Sequence, residues 1–402
     1  MTSILRAPTQ STEENSQEPG NSPRILEVRQ YESIEFEHAL QHPKNVLINA
    51  YVIRKALIRK HYLLRTVENW RVKHPDSVLA RHFKAGVDFE VDFAEFLDDA
   101  LVEAYELHES FAKNETAPRE EREWWILKPG MSDRGQGIRL FSSMEELQEI
   151  FEEWEEEEPL TDEEEEDIRS QDGDGEKALA YGDGIITSQL RHFIAQPYIH
   201  PALLFASEGN RKFHIRTYVL AVGGLNVYVY RDMLALFAAE EYRAPWDSTD
   251  LRGHLTNTCL QDSSVHEGSV RRFWDLDEVL PNATGTGEPG EWKEKVFEQI
   301  CELTAETFEA AARGMSIHFQ TLPNAFEVFG LDFMLDGEAN PWLLEINAFP
   351  DFRQTGDDLM GVVQGFFDDT IDLAVKPFFG IEKSVDDGRN SRHVLDIDLG
   401  RR

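Results

Sequence analysis

Apolar and polar positions change their period several times along the chain. The first 23 residues, MTSILRAPTQSTEENSQEPGNSP, are rich in Ser, Glu and Pro and show no apolar face, which predicts a disordered tail. From about residue 24 to 115 the spacing is helical. In Asn49–Trp70, Val52, Ala56, Leu57, Tyr62 and Leu63 alternate with Arg54, Lys55, Arg59, Lys60 and Arg65. Phe93, Phe96, Leu97, Leu101 and Tyr105 recur every three or four residues, which predicts a second helix.

The period then shortens. Trp124–Lys128 (WWILK) reads as a buried strand, followed by the Gly-rich turn PGMSDRGQG and a second strand at Ile138–Phe141. Ser143 and Glu146 have capping-box spacing, and Leu147, Ile150, Phe151 and Trp154 give the next helix its apolar face. The acidic run that follows, with SQDGDGEK, is too charged and Gly-rich to pack and predicts a solvated loop over 152–177. Strands resume at His192–His200, and Lys212–Val222 and Leu225–Arg231 predict a hairpin across Gly223 and Gly224. An amphipathic helix over Trp292–Arg313 ends at Gly314, a C-cap residue type, and strands Phe326–Asp336 and Trp342–Asn347 flank the turn GEANP. A last helix lies near Asp357–Ala374, and the end is polar. The chain thus divides into a tail (1–23), a helical region (24–115), a central lobe (116–199), a C-terminal lobe (200–380) and a polar tail (381–402). The class is α+β, with antiparallel sheet in the C-terminal half.

Composition narrows the functions. With 40 basic and 76 acidic residues in 402, the formal charge is −36. Such a surface repels nucleic-acid phosphate and anionic membranes, since binding either depends on Lys and Arg replacing counterions. Neither is expected as a partner. Cys259 and Cys301 are too few for a disulfide framework or a zinc ligand set and suit a reducing compartment. No signal-peptide pattern and no apolar run near the ~20 residues of a bilayer span occur, so a soluble, cytoplasmic protein is expected.

Four groups of residues carry candidate chemistry. Side chains alternate along strands, so Glu345 and Asn347 share one face of WLLEIN while Leu344 and Ile346 take the other. Asp332 interrupts the apolar run FEVFGLDFML on the neighbouring strand, and the three oxygen donors suit magnesium shared with ATP phosphates. The alternative is a hairpin whose acids face water; against it, a carboxylate among large apolar residues needs a partner. Lys212, His214 and Arg216 also fall on one strand face, with Phe213 and Ile215 behind. Such a row suits a polyphosphate or acyl phosphate, or else pairs with surface carboxylates. Lys128, followed by Gly135 and Gly137, places a lysine beside a flexible turn that can cover phosphates, although an ordinary hairpin turn has the same look. His254-Leu-Thr-Asn257 offers donors and acceptors in a loop, as helix caps also do.

Taken in order, WILKPGMSDRGQGI, IAQPYI, RKFHIRTYVL, LNVYVYRDM, HLTNTCLQ, FEVFGLDFMLD and PWLLEINAFP resemble the tubulin–tyrosine ligase family from about residue 124 to 352, with the look of a divergent fungal-type member. The resemblance implies an ATP-grasp fold, two lobes with ATP between them, preceded in residues 24–115 by a partial pre-ATP-grasp lobe. It implies ATP and Mg²⁺ as cofactors and an ATP-dependent ligase that joins an amino acid to a protein carboxylate through an acyl phosphate. Lys128, Gly135, Gly137, Lys212 and Gln196, Tyr198 and Ile199 of the inter-lobe hinge then face ATP, with Lys60 of IRKHYLL as a looser match. Asp332, Glu345 and Asn347 correspond to the magnesium ligands, and Arg216 and Glu345 to the catalytic pair. Arg216 holds the reacting carboxylate, and His254, Thr256 and Asn257 line the acceptor side. The implied acceptor is tubulin or another protein with an accessible carboxylate. Some fungal relatives are associated with RNA-processing bodies, which leaves a nucleotide-binding interaction module as the alternative.

The chain departs from the family in four ways. His214 stands where the family has an acid, and Leu236 where it has a second arginine. A charge of −36 opposes an acidic tubulin tail at long range. The region before Lys60 is short for the family's leading lobe.

Overall fold

The computed structural model describes residues 3–6, 23–130, 135–156, 191–256, 269–281, 288–350, 352, 359–382 and 390–399. Three sheets organise them. The first, small and N-terminal, contains β1 (Ser3–Arg6), β2 (Ile25–Val28) and β3 (Val46–Ile48), with β2 and β3 parallel. The second runs in the order β4-β7-β5-β6, from β4 (Val87–Glu90), β5 (Trp125–Pro129), β6 (Arg139–Phe141) and β7 (His192–Pro197). The third has the path β11-β10-β8-β12-β13, drawn from β8 (Arg211–Val222), β9 (Asn226–Tyr230), β10 (Leu234–Glu241), β11 (Val270–Arg272), β12 (Phe326–Leu335), β13 (Pro341–Ala348) and β14 (Ser391–Asp396). Off that path, β9 pairs with both β8 and β14, and every pairing in this sheet is antiparallel.

Period-two alternation on β8 decides where the site can be. Phe213, Ile215 and Val219 join a core with Val296, Phe297, Ile300, Leu303 and Phe308 of the helix Glu291–Gly314. Tyr218 and Leu220, on the opposite face, pack with Val362 and Phe366 of the helix Met360–Thr370. Lys212, His214 and Arg216 lie on this second face and line the cleft between the lobes. The second sheet has its own core, where Leu147, Phe151 and Trp154 of the helix Met144–Glu156 meet Trp125, Leu127 and Phe193. Ser143 Oγ accepts the Glu146 amide (3.2 Å), but the Glu146 carboxylate returns to the amide and hydroxyl of Ser142 (2.6 and 3.0 Å), one residue earlier than a capping box requires.

Several expectations are corrected. Residues 24–115 include β2, β3 and β4 and are not wholly helical. The helix Lys60–Lys73 exists, but the second predicted helix breaks into a 3-10 turn at Ala94–Phe96, a short turn of helix at Leu97–Ala100 and a separate helix at Tyr105–Asn114. Leu97 and Leu101 are buried, while Phe93, Phe96 and Tyr105 are exposed, so the apolar spacing marks no single face. The 1–23 and 381–402 tails contribute β1 and β14. Gly314 ends its helix without a left-handed φ, and the acidic segment beyond residue 156 lies outside the described residues. Among the described residues no helix is long and apolar enough to cross a membrane.

Candidate functional site

A cavity of about 390 Å³ lies between the second and third sheets. Each wall supplies residues for which the local sequence has a reason. On the second sheet, Lys128 near the end of β5 and Gln196 on β7 face each other. Gln196 Oε1 accepts from Lys128 Nζ (2.9 Å), and its Nε2 donates to the Lys84 carbonyl (2.9 Å), which fixes the amide's orientation. Gly135 lines the cavity, and Gly135 and Gly137 have φ of 80° and 69°, a region that favours glycine. Gly137 belongs to the same turn but does not reach the cavity wall. Tyr198 and Ile199, just past β7, complete this side.

On the third sheet, β8 presents Lys212, His214 and Arg216 beside Asp332 of β12. Arg216 grips Asp332 with two bonds, Nε to Oδ1 at 2.5 Å and Nη2 to Oδ2 at 3.0 Å. Gly330 makes room for this: a Cβ there would lie 2.8 Å from Pro350 Cβ and 3.3 Å from Arg216 Cδ. Asp332 pairs in register with Glu345 on β13, and Asn347 Nδ2 donates to both carboxylates at 3.2 Å. The three expected residues therefore meet, with the Asn347 amide nitrogen, not its oxygen, turned toward the two carboxylates. The register slips between Asp332 and Phe333, and Leu344 is the extra residue. Leu343 shares the core with Ile346, so Leu344, expected there, lines the cavity instead.

Lys60, at the start of its helix, pairs with Glu345 at 3.4 Å, which brings the loosest of the expected residues to the site. His214 contacts Thr256 Oγ1 through Nδ1; its Nε2 is buried, 3.4 Å from Asp332 Oδ1, and has no aligned hydrogen bond. His254 and Thr256 line the cavity, whereas Asn257 lies outside the described residues. Leu236 sits in register with His214 and is buried on the cavity wall. Lys84 was not legible in the sequence: it belongs to no motif, yet its ammonium lies 3.8 Å over the Trp342 ring and it lines the same cavity.

The electrostatics separate two halves. Burial, with Lys60 adding to it and Glu345 opposing it, pulls the Lys128 ammonium down to about 8. Burial and the nearby Lys128 bring Lys212 down to about 7. Neither lysine has a carboxylate within ion-pair distance among the described residues. Burial alone would raise Asp332, but Arg216 and then His214 hold it well below the usual carboxylate range, so it is ionised. Two neighbouring carboxylates are hard donors that suit magnesium, and rotation of the Asn347 amide, which now donates to both, would add its oxygen; two lysines without acids suit the phosphate it accompanies. The orphaned His214 nitrogen adds a polar group pointing at the same space.

Comparison with known proteins gives a consistent result. A family model, the tubulin-tyrosine ligase family, matches residues 38–382. A probable tubulin–tyrosine ligase of Schizosaccharomyces pombe is 44% identical over 351 residues, covering 87% of this chain and 82% of the relative. A probable tubulin–tyrosine ligase of Saccharomyces cerevisiae, PBY1, is 41% identical over 384 residues, or 93% of this chain and 49% of the relative, so the chain spans about half of that protein's length. The C-terminal domain of K. lactis Pby1, described as an ATP-grasp enzyme interacting with the mRNA decapping enzyme Dcp2, superposes with a TM-score of 0.64 at 35% identity, over 92% of this chain and 88% of that one. The two sheets and the cleft between them are thus similar to an ATP-grasp enzyme.

Proposed function

The chain belongs to the tubulin–tyrosine ligase family and has an ATP-grasp fold; from that premise, we propose that it is an ATP-dependent ligase joining an amino acid to a protein carboxylate. The observation that carries this reading is the meeting, in one cavity, of Lys128 and Lys212 with the Asp332, Glu345 and Asn347 cluster. The two lysines bind the phosphates beside the turn that holds Gly135 and Gly137, and the hinge at Gln196, Tyr198 and Ile199 receives the base.

Asp332, Glu345 and Asn347 are the residues that would hold magnesium, which when bound supplies positive charge against the phosphate oxygens. Arg216 orients the acceptor carboxylate, with Thr256 beside it. A carboxylate oxygen displaces ADP from the γ-phosphorus, giving an acyl phosphate. The amine then displaces phosphate and loses a proton, leaving an amide. Positioning and charge neutralisation account for such catalysis, so no nucleophilic Ser or Cys is required. Cys301, described and buried, is pushed up to about 12 by that burial and takes no part.

The acceptor is a protein carboxylate, and tubulin is not required by anything in the cavity. Leu236 is an apolar residue on the acceptor wall, and the K. lactis relative's described interaction with a decapping enzyme favours a protein partner of that type. His214 beside Asp332 and Leu236 on that wall favour a second reading, a nucleotide-binding interaction module. Calorimetry with Mg·ATP on wild type and Glu345→Gln, with ADP release followed alongside, tests both. Glu345-dependent binding with slow ADP release supports the ligase. Binding without turnover over a broad screen of peptide acceptors supports the module, and no binding at millimolar Mg·ATP removes both.

A further inference from the structure

Behind Lys212 lies a chain of hydrogen bonds whose direction is fixed at its far end. His254 Nε2 is 2.6 Å from the Ser248 carbonyl, which can only accept, so Nε2 carries the proton. In the neutral ring Nδ1 then holds a lone pair, and it lies 2.7 Å from the Tyr198 hydroxyl. Tyr198 therefore donates to His254, and its oxygen is left to accept from Lys212 Nζ at 2.7 Å. The ammonium also sits 4.0 Å from the centroid of the Tyr198 ring. Lys212, Tyr198 and His254 are buried, and Ser248 is half-buried. Burial brings His254 down to about 4, with Lys212 adding to the effect and the Ser248 carbonyl opposing it, which keeps the ring neutral; Tyr242 is a further neighbour of the Tyr198 hydroxyl.

The backbone is shaped for this contact. The turn Leu251–His254 is capped by Asp250, whose Oδ1 accepts the Arg252 amide at 3.0 Å. At Gly253 a Cβ would stand 2.9 Å from the Glu241 carbonyl, so glycine lets the turn press against β10 and push His254 toward Tyr198. With both ring nitrogens engaged inside the protein, His254 has nothing to offer an acceptor.

We infer that His254 is a positioning residue for phosphate binding: through the Tyr198 hydroxyl it holds the Lys212 ammonium in the cleft on the side opposite Lys128. The inference rests on the nucleotide reading and adds to it a residue whose two ring nitrogens are both bonded within the protein. Without an acceptor at Nδ1 the Tyr198 hydroxyl loses its fixed direction, and Lys212 loses the lone pair that holds it. The hinge backbone, which receives the base, is not part of the chain of bonds.

Mg·ATP affinity by calorimetry and adenosine binding by ligand-observed NMR, on the full chain, separate these roles. His254→Leu should weaken Mg·ATP about tenfold, the value of one charge-assisted hydrogen bond, and leave adenosine binding unchanged. Asn places an oxygen where Nδ1 was, so His254→Asn should bind Mg·ATP within about twofold of wild type, a change no larger than a few tenths of a hydrogen bond. Tyr198→Phe should match His254→Leu, and combining the two should cost no more than either alone. Equal losses for ATP and adenosine, or a His254→Leu protein that binds like wild type, would overturn the inference while leaving the nucleotide site standing. A wild type blind to Mg·ATP would overturn both.

Discussion

Burial brings the Lys128 and Lys212 ammonium groups down to about 8 and about 7, where free lysine stands near 10.5. A polyphosphate favours their charged forms, so binding raises both values and takes up protons. Calorimetry at pH 8 in two buffers of different ionisation enthalpy should report uptake of roughly one proton. Affinity should fall as pH rises past these values. Stability follows the opposite sense: from about pH 7 upward the unfolded chain binds more protons at these sites than the folded one, so the empty protein gains stability as pH rises toward 10. Asp332 depends on its partner. Arg216→Ala takes the guanidinium from a buried carboxylate, leaving only Asn347 and His214 beside it, and should cost ~3 kcal/mol in urea unfolding. At this scale the sequence was informative where period two applied, as for Lys212, His214 and Arg216. It said nothing of Lys84, which reaches the cavity from a loop that no pattern marks, nor of the grip between Arg216 and Asp332, which joins residues 116 positions apart.

Elements were legible where a period ran long enough to choose between helix and strand. β8 and the helix Glu291–Gly314 are of that kind. The segment Phe93–Tyr105 is not: its apolar residues follow helical spacing, but tertiary contacts take only Leu97 and Leu101 inside. The bulge at Leu344 was equally hidden, because one extra residue changes facing without changing composition. Gly330 is the least replaceable residue of β12. Gly330→Ala should push Pro350 and Arg216 apart at a cost of ~1–3 kcal/mol, and urea unfolding should also show weaker stabilisation by Mg·ATP than in wild type. Glu146→Ala, at the start of its helix, should cost about 1 kcal/mol through the lost bonds to Ser142.

For the whole molecule, a charge of −36 works against compactness. Raising salt from ~10 to ~150 mM shortens the Debye length from ~30 to ~8 Å. The melting temperature should therefore rise, by about 2 °C if self-repulsion costs ~1 kcal/mol. A fall on adding salt would mean that attractive surface pairs dominate. The sequence indicated two lobes because its motifs run in order, but strands β1 and β14 near the ends of the chain escaped it, since short edge strands carry too few residues to show a period. One consequence reaches across the cleft. The guanidinium proposed to seize the acceptor and the carboxylate proposed to seat the metal are clasped to each other. Whatever draws one away releases the other, and such coupling is reciprocal. The pair is an interlock: a carboxylate-bearing peptide should tighten magnesium binding, magnesium should tighten the peptide, and nucleotide alone should be spared from idle consumption.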